Sequence, residues 1–133
     1  MKQVFFAMLP DVVLLDVAGA AEAFRIANRL VEGSYDMRFV APTSHLRTGV
    51  GLELHQLPPL PEVVADHSIV VVTGIVGDAV RFDSVPMQRL IRWLDVVSKN
   101  ETVTLMCVCA GSVIAAKAGL LHGRECTTHH EHI

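Results

Sequence analysis

The chain has no long hydrophobic run. A membrane helix needs roughly 20 apolar residues, and the strongest candidate, Ser68 to Val76, is short and flanked by polar residues. No membrane span is expected. The N-terminal stretch "MKQVFFAMLPD" lacks the small-residue cleavage pattern of a signal peptide. Cysteine is scarce and odd in number, at 3 in 133 residues, with two nearly adjacent. That argues against a disulfide framework and for a reducing compartment, so a cytoplasmic location is expected. There is no Lys/Arg block, and the net charge of -3 offers no footprint for nucleic acid. Internal repeats and low-complexity segments are absent as well.

What is present is apolar. A hydrophobic content of 51% against 19% charged residues argues against disorder and for one domain, or part of one, with a real core. Strand-like and helix-like segments alternate. Lys2 to Leu9 is β-rich, and Pro10-Asp11 ends it. Asp16 to Glu32 is helical, with Val17, Ala20, Ala21, Phe24, Asn28 and Val31 on one face and Gly33 as a stop. Tyr35 to Ala41 is a second strand. Leu46 to Leu57, with Gly49 and Gly51, suggests a small hairpin or bend, and Pro58, Pro59 and Pro61 make a stiff connector after it.

Ile69 to Thr73 is almost wholly apolar, as a strand buried on both faces should be. Ser84 and Pro86 suit a helix start. Met87, Leu90, Ile91, Leu94 and Val97 form that helix's apolar stripe, and Asn100 is placed to cap its end. Thr102 to Val108 is a further strand and Ser112 to Ala118 a helix stopped by Gly119. Glu125 to His129 is expected to begin another strand. The rhythm predicts an α/β fold: a doubly wound parallel sheet with helices on both faces. The site should lie at the carboxyl ends of the strands. Three loops occupy that edge: Pro10 to Asp16, Gly74 to Asp83, and Cys109 to Gly111.

Cys109 stands where a strand turns into a helix, a position that points out of the sheet edge. It is either a reactive thiol, favoured there by helix N–H groups, or a small apolar residue filling a corner. Cys107, two residues earlier, shares its face if both lie on the strand; a core role is favoured over a metal or redox pair. Asp16 reads either as the N-cap of the first helix or as a hydrogen-bond acceptor near Cys109. "TTHHEH", Thr127 to His132, does not match H-E-x-x-H, so no metal site is assigned. His129 alone is a candidate base for the thiol.

"CVCAGSVIAAKAGLLHGRECTTHH" resembles the nucleophile-elbow region of the class I glutamine-amidotransferase-like superfamily, ThiJ/PfpI branch. That pattern reads roughly G-V-C-[TA]-G, an apolar helix, A-G-L-L-x-G-R, and T-T-H-W. "LLDVAGAAEAFRIANR", "TGVGLELHQLPPLPE" and "IVVVTG" follow the family order, in wording nearest to the N-terminal domains of AraC-type transcription regulators.

The resemblance implies a flavodoxin-like, three-layer fold. It also implies a site built from Cys109, Asp16 and His129 as the catalytic set, if one operates. Asp16, Gly74, Ile75, Cys109 and Ala110 would line a small-molecule pocket, with no cofactor. Ile75 stands where the family often has a second Gly, which implies a weakened oxyanion hole. Ala110 stands where isonitrile hydratases have Thr, His130 replaces Trp, Ala20 replaces Pro, and Cys107 replaces Gly.

The resemblance further implies that residues 1–133 are a truncated domain, its C-terminal part missing. A homodimer or higher homo-oligomer is expected, touching DNA only through a C-terminal helix-turn-helix domain not within these residues. Two functions therefore stand open. One is a ligand-sensing and dimerisation domain of an AraC-type regulator. The other is a ThiJ/PfpI-type cysteine hydrolase or hydratase with Cys109 as nucleophile.

Overall fold

The computed structural model describes residues 1–77 and 81–132. The elements run β1 (Lys2–Ala7), α1 (Leu14–Leu30), β2 (Tyr35–Val40), β3 (Leu46–Arg47), β4 (Glu53–Leu54), β5 (Ile69–Val72), α2 (Val85–Val97), β6 (Thr104–Cys107) and α3 (Gly111–Lys117). Among the described residues, β2-β1-β5-β6 form one parallel sheet, and β3-β4 form a separate antiparallel hairpin. This is the expected α/β, flavodoxin-like arrangement. Among the described residues no helix is long and apolar enough to cross a membrane.

Strand alternation explains the layering, because successive side chains face opposite ways. On one face Val4, Phe6 and Val71 pack with Val17, Ala20, Ala21 and Phe24 of α1. On the other, Phe5, Ala7, Val70 and Val72 pack with Met87, Leu90, Trp93, Leu94 and Val97 of α2 and Ile114 of α3. The central strands are apolar on both sides because both sides are covered. Trp93 adds to the stripe read from the sequence, and its Nε1 donates to the Pro61 carbonyl at 2.7 Å, so the proline connector is tied to α2.

Ends and caps show where local reading fell short. Ser84 caps α2 as expected, its Oγ accepting from the Met87 N–H at 3.3 Å. The C-cap is Ser98, not Asn100. Asn100 Oδ1 instead accepts from the backbone N–H and the hydroxyl of Thr102 at 3.0 and 2.7 Å, shaping the entry to β6. Val31 leaves the helical face because it is the extended C-cap of α1 and exposed. No strand forms over Glu125–His129. That stretch is irregular and ends in a 3-10 turn at His130–His132. Its hydrogen bonds go to side chains and to the elbow rather than to a neighbouring strand: the Glu131 N–H donates to His129 Nδ1, and Thr128 Oγ1 donates to the Cys109 carbonyl.

Candidate functional site

The first loop brings Asp16 to the carboxyl edge of the sheet. The N-cap position of α1 is Val13, without a side-chain cap, so Asp16 is not the cap. It lies in the first turn, where a carboxylate is favoured by the helix dipole. Its Oδ2 accepts from the Gly74 N–H at 3.3 Å, across 58 residues of chain. The two loops are stitched further by the Val13 N–H to the Gly74 carbonyl at 2.9 Å, the Val76 N–H to the Asp11 carbonyl at 2.8 Å, and the Val12–Ile75 bridge. Gly74 is tightly surrounded. A Cβ there would stand 3.2 Å from Asp16 Oδ2 and 3.3 Å from the Ala110 nitrogen. Asp16, Gly74 and Ala110 therefore meet at one point, as the spacing of the loops predicted.

The elbow itself is strained. Cys109 has φ +54°, a left-handed conformation that costs a residue with a Cβ about 1–2 kcal/mol. β6 stops at Cys107, so Cys107 and Cys109 are not two successive same-face positions of one strand, as the strand reading had them. The corner is sharp enough to press Gly111 onto β5: a Cβ on Gly111 would lie 2.1 Å from the Val72 carbonyl oxygen. Ser112 Oγ and Thr128 Oγ1 both donate to the Cys109 carbonyl at 3.3 Å. The double-Thr segment is thereby fastened to the elbow, and His129 comes directly after it. His129 Nδ1 accepts from the Glu131 N–H at 3.3 Å and lies 3.8 Å from Glu131 Oε2, with its ring 4.2 Å from that of His130.

Two residues that sequence reasoning passed over adjoin the site residues. Thr128 was seen only as part of a motif, and its role as the elbow's tether depends on a contact 19 residues back. Thr73, one residue before Gly74, is only 4% exposed and its Oγ1 has no hydrogen-bond partner. Its position after an apolar strand hinted at the site edge, but nothing local reveals an unsatisfied hydroxyl. Burial raises the Cys107 thiol above its ordinary range, and the neighbouring Cys126 thiol raises it further.

Ile75 lines a cavity of about 680 Å³ with Pro10, Asp11, Arg81, Asp83 and Ser84. Thr128 lines another of about 350 Å³ with Ser112, Leu121 and Cys126. Residues 78–80 of the Gly74 to Asp83 loop lie outside the described residues. Among the described residues no group of three or more His, Cys, Asp or Glu is placed to hold a metal ion.

A parallel sheet ending in a strained cysteine elbow, with an acidic residue on the neighbouring loop, is the fold of ThiJ/PfpI and DJ-1 proteins, and the chain has that fold. It shares a family with the Streptomyces lividans protein described as the uncharacterized protein in the cpoL 5' region. The two are 31% identical over 123 residues, covering 90% of this chain and 81% of that protein. It is also 30% identical over 130 residues to the HTH-type transcriptional regulator CdhR of Pseudomonas aeruginosa, covering 97% of this chain but 37% of the regulator.

Among solved structures, an AraC family transcriptional regulator from Pseudomonas putida superposes with a TM-score of 0.79 at 21% identity, over 98% of this chain and 68% of that one. A ThiJ/PfpI family protein from Pseudomonas syringae superposes with a TM-score of 0.65 at 16% identity, over 92% of this chain and 48% of that one. No family model matches the chain.

Proposed function

We propose that residues 1–133 act as the ligand-sensing and dimerisation domain of an AraC-type transcription regulator. The bound species would be a small nitrogenous or amino-acid-like metabolite, held by Asp16, Gly74, Ile75, Cys109 and Ala110. The observation that carries this reading is the 30% identity to a transcriptional regulator across 97% of the chain. The geometry supports binding over turnover. The Gly74 N–H is spent on the Asp16 carboxylate, and a carboxylate beside a developing oxyanion opposes it. Asp16 suits an ammonium group, and the buried Thr73 hydroxyl suits a polar ligand atom, since an unpartnered buried hydroxyl costs about 1–3 kcal/mol.

The test is calorimetric titration with a panel of amino acids and related amines. Saturable binding of at least one is expected, weakened roughly tenfold or more by Asp16→Ala, the loss of a charge-assisted bond. Thr73→Val should weaken binding while raising the stability of the unliganded protein by about 1 kcal/mol. Binding unaffected by both substitutions would place the ligand elsewhere.

A cysteine hydrolase or hydratase is the second reading, favoured by the φ of +54° at Cys109. In it Cys109 attacks while Asp16 and His129 handle protons. Turnover of amides or isonitriles that Cys109→Ala abolishes would establish it.

A further inference from the structure

Two histidines face each other across the small antiparallel hairpin. Its ladder pairs Leu46 with Leu54 and Arg47 with Glu53. One step outward, the same register sets His45 opposite His55. Their ring centroids lie 5.7 Å apart, with the ring planes 12° from parallel. Strand alternation decides which way the pair faces. Leu46 is buried and Leu54 packs against the core, so His45, Arg47, Glu53 and His55 belong to the outer face. Both histidines are exposed there.

The backbone beneath the pair is fixed on both sides. Beyond it, the Leu57 N–H donates to the Ser44 carbonyl at 2.8 Å. Toward the turn, the Thr48 N–H donates to the Leu52 carbonyl at 2.8 Å, and Thr48 Oγ1 accepts from the Leu52 N–H at 3.1 Å. The Asp11 N–H, donating to the Arg47 carbonyl at 2.8 Å, ties the hairpin to the first loop. Only side-chain torsions are left for a ligand to order, and such preorganisation favours binding. Charge favours a cation. Glu53 Oε2 stands 3.8 Å from His55 Nε2. The Arg47 guanidinium, on the same face, reaches toward Gly51 at the turn.

We propose that His45 and His55 form a bidentate site for a divalent transition cation of the Ni²⁺, Cu²⁺ or Zn²⁺ class. Imidazole is a common protein ligand for all three ions. With metal–nitrogen bonds of about 2.1 Å and each ring nitrogen about 1.1 Å from its ring centre, two imidazoles sharing an ion have centroids at most about 6.4 Å apart. The observed 5.7 Å lies within that limit. Rotation of the exposed side chains turns one nitrogen of each ring toward the ion. Two protein ligands are short of a closed cage, so water holds the remaining positions, and Glu53 adds negative charge beside His55. The site shares no residue with the Asp16–Gly74 contact, and it stands whether or not a metabolite binds there.

The experiment titrates the full chain with Ni²⁺ while following the histidine imidazole signals by NMR. The paramagnetic ion broadens the rings it touches. At substoichiometric Ni²⁺, His45 and His55 should broaden first and together. His45→Gln and His55→Gln should each abolish this selective broadening, Glu53→Gln should weaken it, and His130→Gln should leave it unchanged. All four positions are exposed, and circular dichroism checks that the variants are folded. Broadening that starts at His129 or His130, selective broadening that survives either substitution in the pair, or no saturation below about 1 mM overturns the proposal.

Discussion

Two glycines near the elbow separate two kinds of constraint. Gly111 has no positive φ, yet its missing Cβ lets α3 begin against the Val72 carbonyl. Gly119 has φ +81° with nothing within 4 Å of an added Cβ. Gly111→Ala should therefore cost about 3 kcal/mol or more, since β5 backbone must move, and Gly119→Ala only about 1 kcal/mol of conformational strain. Urea unfolding of both variants checks the order; a cheaper Gly111→Ala would mean that the elbow yields more readily than this contact requires.

Cys107 makes a pH prediction with a definite sign. Its folded-state value lies above the ordinary 9.0, first through burial and then through Cys126. The unfolded thiol ionises first, so the unfolded chain binds fewer protons above that value and stability falls as pH rises. The contribution is fully present below about pH 9 and is lost as pH climbs through the raised value. Cys107→Ala should flatten that part of a denaturation-against-pH curve taken under reducing conditions.

At the scale of elements, α1 is held at its far end by hydrogen bonds as well as by burial. Val17 is its buried residue, while Asn28 clamps the last turns to the start of β2. Asn28 Nδ2 donates to the Tyr35 carbonyl and Oδ1 accepts from the Tyr35 N–H, both at 2.9 Å. Phe24 stands edge-on to both Phe6 and Tyr35, with centroids 6.1 and 4.9 Å apart. Asn28→Ala removes two backbone partners at once and should cost about 1–3 kcal/mol. Asn28→Asp, which keeps the acceptor, should cost less than Asn28→Ala. Thermal unfolding of the pair measures this; equal losses would place the stabilisation in packing alone.

On the molecular scale the layers are uneven. α1 covers the β2-β1 side, whereas Met106 of β6 is 37% exposed and faces the same side through its pairing with Val71. The proposed homodimer is open to direct measurement. Light scattering at micromolar concentration should give twice the chain mass, and a monomer would refute it. The net charge of -3 supplies few phosphate contacts, and α1 and α2 commit their apolar faces to the sheet. Fluorescence anisotropy with promoter DNA at about 150 mM salt should show no sequence-specific binding by residues 1–133. Tight specific binding would contradict the proposed division of labour.

What the sequence determined by itself is whatever short-range physics governs. The Val-Phe-Phe stretch made β1 and a β-branched run made β5, Ser84 with Pro86 started α2, and Gly119 stopped α3; the elbow at Cys109 was visible because a strand pattern collides there with a helical one. The meeting of the Pro10 and Gly74 loops was legible too, because parallel strands place their succeeding loops on one edge. Tertiary structure alone decided the partners. Asp16 faced a choice between capping its own helix and bonding Gly74, and the stitched loops chose the second. Glu125–His129 had strand-forming residues but joins no ladder; its fixed contact is instead the Thr128 hydroxyl on the Cys109 carbonyl. The unpaired hydroxyl of Thr73 and the burial that raises the Cys107 thiol are likewise invisible locally. Each depends on residues far apart in sequence, and only the packing of the whole sheet brings those together.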